Sequence, residues 1–101
     1  MTCKATFNSK VIAESDACLG TEGNLYFPPD SVKKELLKPS DRRSHCVWKG
    51  DSRYYNLAIG DHILKDAAWY YDQPSDAAKD LKNYVAFDQS LGIYVERQDY
   101  K

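Results

Sequence analysis

No apolar run in this sequence approaches the ~20 residues needed to span a bilayer. Met1 to Phe7 already alternates with polar residues, so no N-terminal secretory leader is expected. Neither sign of charge dominates: Lys and Arg number 14 against 15 Asp and Glu, for a net −1. A whole-molecule field that would gather nucleic acid or a membrane surface is therefore lacking. Cysteine is sparse, at three residues (Cys3, Cys18 and Cys46), with no Cys-x-x-Cys and no His-x₃₋₅-His spacing. That excludes the common zinc frameworks, and no metal is expected. An odd number of thiols without a leader points to free cysteines in a reducing, cytoplasmic setting. Also absent are internal repeats, low-complexity tracts and any linker, so residues 1–101 read as one domain.

Aromatic residues, by contrast, are abundant: eight Tyr, three Phe and two Trp. They favour strands and bring large apolar faces. The chain is punctuated by turn residues every ten positions or so, which suits short antiparallel strands. Strands are expected over 3–7, 10–14, 25–27, 43–48, 53–59 and 62–72, and Pro28-Pro29 stops the third of them. On the sixth, alternation puts Ala67, Trp69 and Tyr71 on one face and Ala68 and Tyr70 on the other. A last hairpin is expected from Tyr84–Asp88 and Gly92–Arg97, with Lys49-Gly50-Asp51 as the turn of the central one. A short helix begins at Asp30 or Ser31 with Val32, Leu36 and Leu37 inward. A second is capped by Ser75 with Ala77, Ala78 and Leu81 inward. The fold class is mainly β (α+β): seven or eight short strands in two small sheets or a partly open barrel, with two short helices.

Charge is locally uneven. From Lys33 to Lys49 there are six basic residues (Lys33, Lys34, Lys38, Arg42, Arg43 and Lys49) against Glu35 and Asp41. Lys49 follows Trp48 and precedes Gly50 at a turn, where a glycine lets a ligand approach the backbone. With Arg42 near in sequence, it can hold a phosphate or carboxylate. A solvated hairpin tip is the simpler reading of the same lysine. Tyr26, Trp48, Tyr54, Tyr55, Trp69, Tyr70 and Tyr71 exceed what one small core needs. Strand alternation forces adjacent pairs onto opposite faces, so some rings line a cleft or an interface. Cys46 invites a nucleophile reading, but His45 beside it on a strand points to the other face and is poorly placed as its base. Glu14 and Glu22 are candidate acids or bases, and a salt bridge explains either one equally well.

Several of these segments resemble one family. Cys46-Val47-Trp48-Lys49-Gly50 followed by Tyr54-Tyr55, and Ala68-Trp69-Tyr70-Tyr71 followed by Pro74, look like the signature of the domain of unknown function 427 family. Glu14-Ser15, Glu22-Gly23 with Tyr26-Phe27-Pro28, Ser40-Asp41-Arg42 and Tyr84-Val85-Ala86-Phe87 extend the resemblance, in order, over about residues 9–96. Val47 departs from it, since the family often carries proline there. The resemblance implies a fold and a set of residues, with Glu14 or Glu22 sharing a site with Lys49. The family also carries a nucleotidyltransferase label. That chemistry uses two metal ions on paired carboxylates and a glycine loop for the triphosphate. No Asp-x-Asp occurs here, and Glu14-Ser15-Asp16 is the nearest substitute. No reaction is assigned and no cofactor is expected.

The reading is a domain whose aromatic-lined pocket takes a small anionic or nucleotide-like ligand. Lys49 and Arg42 hold the anion, and Tyr26, Trp48, Tyr54 and Trp69 form the wall. Glu14, Glu22 or Cys46 are the candidates for catalysis. The alternative is a non-catalytic protein-interaction or self-association module, forming a homo-oligomer through exposed aromatics. No membrane and no nucleic acid partner is expected.

Overall fold

A computed structural model of the chain describes residues 2–21 and 23–98. Among the described residues nine strands make three antiparallel sheets, none closed into a barrel. The fold is mainly β, as the residue pattern predicts. In β1 (Thr2–Phe7), Cys3, Ala5 and Phe7 are buried and the alternate residues are not, the period-2 pattern of a half-buried strand. Asn8 and Ser9 both take positive φ, the geometry of a tight hairpin turn, and hand the chain to β2 (Lys10–Ser15). β3 (Leu19–Thr21) and β4 (Asn24–Tyr26) form a two-stranded ribbon. β5 (Leu37–Cys46), β6 (Gly50–Ile59), β7 (His62–Tyr70) and β8 (Val85–Phe87) form a four-stranded sheet in that order. β9 (Tyr94–Gln98) pairs with β1.

The last two strands therefore do not form the expected hairpin. Between them a 3-10 turn at Gln89–Leu91 ends on Gly92 in the left-handed region, and the chain leaves the four-stranded sheet for the other one. The first expected helix is also absent. Two 3-10 turns, Pro29–Ser31 and Lys34–Leu36, stand in its place, and Leu37 already belongs to β5. Val32 explains this: it bridges Ala13, and Lys33 N–H donates to Ile12 C=O, so β2 holds the chain extended where a helix would have to continue. The second helix is a 3-10 segment, Asp76–Leu81, with a kink at Ala78.

Sheet faces divide the core into two clusters. Cys3, Ala5, Phe7, Ile12, Phe27, Leu57, Val85, Phe87 and Ile93 belong to the larger, built between the three-stranded sheet and the four-stranded one. Tyr26, Tyr71, Ala78, Leu81 and Ala86 form the smaller, with Trp69, Cys46 and Tyr84 against it. Alternation assigns neighbours to different clusters: Tyr26 against Phe27, and Ala86 against Val85 and Phe87. One expected alternation fails. Ala67 and Ala68 are both fully buried in the larger cluster, because β7 carries extra residues opposite β6 between Tyr55 and Leu57. Asp66 has φ +53 there, and its N–H donates to the Asn56 side chain at 2.8 Å.

Cys3 and Cys18 are joined as a disulfide, which corrects the expectation of three free thiols; Cys46 alone is free. Cys3 faces inward opposite Ser15. The chain then curls back on itself: Ala17 N–H donates to Ser15 Oγ, and Thr2 Oγ1 donates to Asp16, bringing the two Cα atoms to 6.5 Å. Thiol count thus gives no support to a reducing compartment. Among the described residues no helix is long and apolar enough to cross a membrane.

Candidate functional site

The turn between β5 and β6 lies two positions earlier than its residues suggest. Cys46 pairs with Gly50, so Val47, Trp48 and Lys49 form the turn. Val47 is 94% exposed and Trp48 41%, yet Lys49 is only 2% exposed. The tip folds inward because the 73–75 segment holds it from outside. Ser75 N–H donates to Lys49 C=O at 2.8 Å, and Ser75 Oγ donates to Trp48 C=O. Ser75 so serves the hairpin rather than capping the helix that follows. Gly50 completes the clamp with φ +104; a Cβ there would lie 3.3 Å from Gln73 O and 3.4 Å from Ser75 N. Gly50→Ala is expected to cost roughly 1–3 kcal/mol of stability through forced backbone strain, read as a lower urea midpoint at unchanged slope. An unchanged midpoint would show that the clamp yields freely.

Directed inward, the Lys49 side chain meets aromatic rings. Its Nζ lies 4.9 Å from the Trp48 ring centre, 5.5 Å from that of Tyr26 and 5.8 Å from that of Tyr71. These are cation–π distances. Nζ also donates to Tyr26 Oη at 3.5 Å, and the Trp69 indole N–H donates to the same oxygen at 3.2 Å. Tyr26 itself is 1% exposed and stands edge-on to Trp69, with ring centres 6.4 Å apart. Burial, then the nearby Tyr26 and Cys46, then a hydrogen bond to Tyr26 push the Tyr71 phenol well above the ordinary tyrosine value. A hollow of about 210 Å³ opens beside these groups, lined among others by Tyr26, Cys46, Lys49, Ser52, Tyr54 and Trp69. Ser52 was not foreseen as a site residue. Its signal was its place two before Tyr54, on the same face of β6.

The other candidate residues fall elsewhere. Arg42 sits with Cζ 4.9 Å over the Tyr54 ring and its guanidinium 3.9 Å from Asp66, so it backs the wall rather than entering the hollow. Trp48 flanks Lys49 without lining the hollow. Glu14 is exposed on β2, 4.0 Å from Lys4, and does not line the hollow. Glu22 lies outside the described residues. Cys46 is half-buried at the wall. His45 Nδ1 is held by Asp51 at 2.7 Å, and His62 packs on Phe7 and Asn8, so neither is set as a base for the thiol. Among the described residues no three His, Cys, Asp or Glu side chains converge as metal ligands.

No curated protein matches the chain. The family described as "Domain of unknown function (DUF427)" matches residues 2–98, which include every strand and the whole of the Lys49 hollow. The chain belongs to the DUF427 family.

Proposed function

We propose that the Lys49 hollow binds the anionic group of a small metabolite, a phosphate or a carboxylate. The observation that carries this is the crowding of donors on Tyr26 Oη. Trp69 N–H and Lys49 Nζ both donate to one phenol oxygen. The Tyr26 hydroxyl is both donor and acceptor. With both lone pairs taken, its own proton is left to be given, to Tyr71 or to a group in the hollow. Lys49 adds positive charge, and Ser52 and Tyr54 add hydroxyl donors to the same wall. A site this rich in donors favours a ligand with several acceptor oxygens. At about 210 Å³ it is below the usual size for a whole metabolite. Any nucleotide-like remainder therefore lies outside, along the exposed Trp48 ring.

Thermal unfolding with inorganic phosphate, acetate and AMP tests the reading. A ligand at about 100 times its Kd adds about 2.7 kcal/mol, which raises Tm by roughly 10 °C in a domain of this size. Lys49→Met, close in shape and uncharged, is expected to fold and to lose the shift. Equal shifts in both proteins, or none with any of the three, would refute the site. A second reading is supported by the tip itself, where Val47 and Trp48 form an exposed apolar pair: self-association through that tip. Sedimentation of the wild type and of Val47→Asp separates it, since a concentration-independent monomer would exclude it.

A further inference from the structure

The opposite face of the four-stranded sheet carries a second hollow, more than twice as large. Along β6, Ser52 and Tyr54 face the Lys49 site, so Arg53 and Tyr55 face away from it. Along β7, Trp69 faces it and Tyr70 faces away. Register pairs Tyr55 with Ala68 and Arg53 with Tyr70, which makes Tyr55 and Tyr70 diagonal neighbours across the two strands. Their rings stack with centres 4.6 Å apart and planes at 20°. They wall a cavity of about 460 Å³ together with Leu37, Pro39, Lys34 and Asn83. That volume lies inside the usual range for small-molecule sites, about 300–1,000 Å³. Most of the lining is apolar, with a few polar groups at separate points, the composition such sites share.

Packing accounts for part of this surface, since Tyr55, Tyr70 and Leu37 rest on the larger core. It does not account for a hollow left open above the ring pair. Burial, then the neighbouring Tyr70, then a hydrogen bond to Tyr70 push the Tyr55 phenol up to about 12. Tyr55 therefore stays a neutral phenol at ordinary pH. Among the described residues Lys34 pairs with Asp30, at 4.0 Å, and both side chains are largely exposed. A pair so exposed holds its ammonium weakly, so the charge is available to an incoming anion.

We infer that this cavity is a second ligand site, for a flat aromatic ring bearing a carboxylate. The ring lies on the Tyr55–Tyr70 pair, and Lys34 takes the carboxylate. Apolar walls at Leu37 and Pro39 favour such an acid over a nucleotide, whose ribose would need hydrogen-bond partners there. The site is independent of the Lys49 hollow and stands if that one fails.

Calorimetric titration with indole-3-acetate, uncharged indole and AMP tests it. Indole-3-acetate is expected to bind more tightly than the other two. Lys34→Glu, on an exposed side chain, and Tyr70→Leu are each expected to weaken it by about tenfold or more, or about 1.4 kcal/mol. Lys49→Met is expected to leave it unchanged. Melting of the two variants without ligand checks that they fold. Three results would overturn the inference: no binding at millimolar indole-3-acetate, equal affinity for indole or AMP, or full affinity in Lys34→Glu.

Discussion

Tyr26→Phe is expected to lower the stability of the domain by roughly 2–4 kcal/mol, although it deletes one oxygen atom and leaves the ring in place. The reason is an asymmetry in hydrogen-bond energetics. A satisfied pair contributes about 1 kcal/mol net, but each buried donor stranded without an acceptor costs about 1–3 kcal/mol. Tyr26 Oη receives the Trp69 indole and the Lys49 ammonium, and the Tyr71 hydroxyl lies beside it. Lys49 is 2% exposed, so water cannot readily replace the oxygen that its ammonium loses. Trp69 is half-buried and recovers part of its bond from solvent. Tyr71→Phe leaves Trp69 and Lys49 their acceptor, and is expected to cost about 0.5–1.5 kcal/mol. Urea unfolding followed by tryptophan fluorescence measures both. A Tyr26→Phe loss no larger than that of Tyr71→Phe would mean that the oxygen is not the hub of the cluster. The same variant reports on function, because an anion in the hollow needs the Tyr26 proton.

The hub was only partly legible in the sequence. Tyr26, Trp48, Lys49, Tyr54 and Trp69 were all legible as residues of one aromatic-rich domain with a cation at a turn. The inward course of Lys49 was not. A turn lysine between Trp48 and Gly50 looks like a solvated tip, and local pattern has no access to the clamp. That clamp comes from Ser75, which is distant in sequence and looks on its own like a helix cap. The shift of the turn to Val47–Lys49 has the same source, since the register Cys46 to Gly50 is set by what the tip touches. The place of Arg42 outside the hollow has a simpler reason. The bulge at Asp66 offers a carboxylate on its own side of the sheet, and Arg42 turns to it.

Strand existence was read well because period-2 burial is a local signal, as in Cys3, Ala5 and Phe7. Strand partnership was not local. Val85–Phe87 and Tyr94–Gln98 look like a hairpin by proximity alone, but the strands join different sheets. The same holds for residues 30–37, where the apolar spacing of Val32 and Leu36 suits a helix. A bridge to Ala13 wins because it satisfies backbone groups on β2 that a helix would leave open.

Cysteine counting failed in the most consequential way, and reduction of the disulfide is expected to cost about 3 kcal/mol. Cys3 and Cys18 are separated by 15 residues. A crosslink closing a loop of that length stabilises by about 3 kcal/mol, chiefly by restricting the unfolded chain. Urea midpoints with and without dithiothreitol measure it directly. The double variant Cys3→Ala and Cys18→Ala is expected to match the reduced protein and to ignore dithiothreitol, whereas Cys46→Ser is expected to remain sensitive. Alkylation of the unfolded, unreduced protein gives the independent check. One modified cysteine is the expected result, and three would show that the bond does not form. An odd thiol count could not reveal this pairing, because oddness describes the chain and pairing depends on geometry. Cys46 sits against the smaller cluster and Cys3 in the larger one. Burial on opposite faces of the four-stranded sheet keeps that third thiol out of reach, so the two that can meet do so whatever the total.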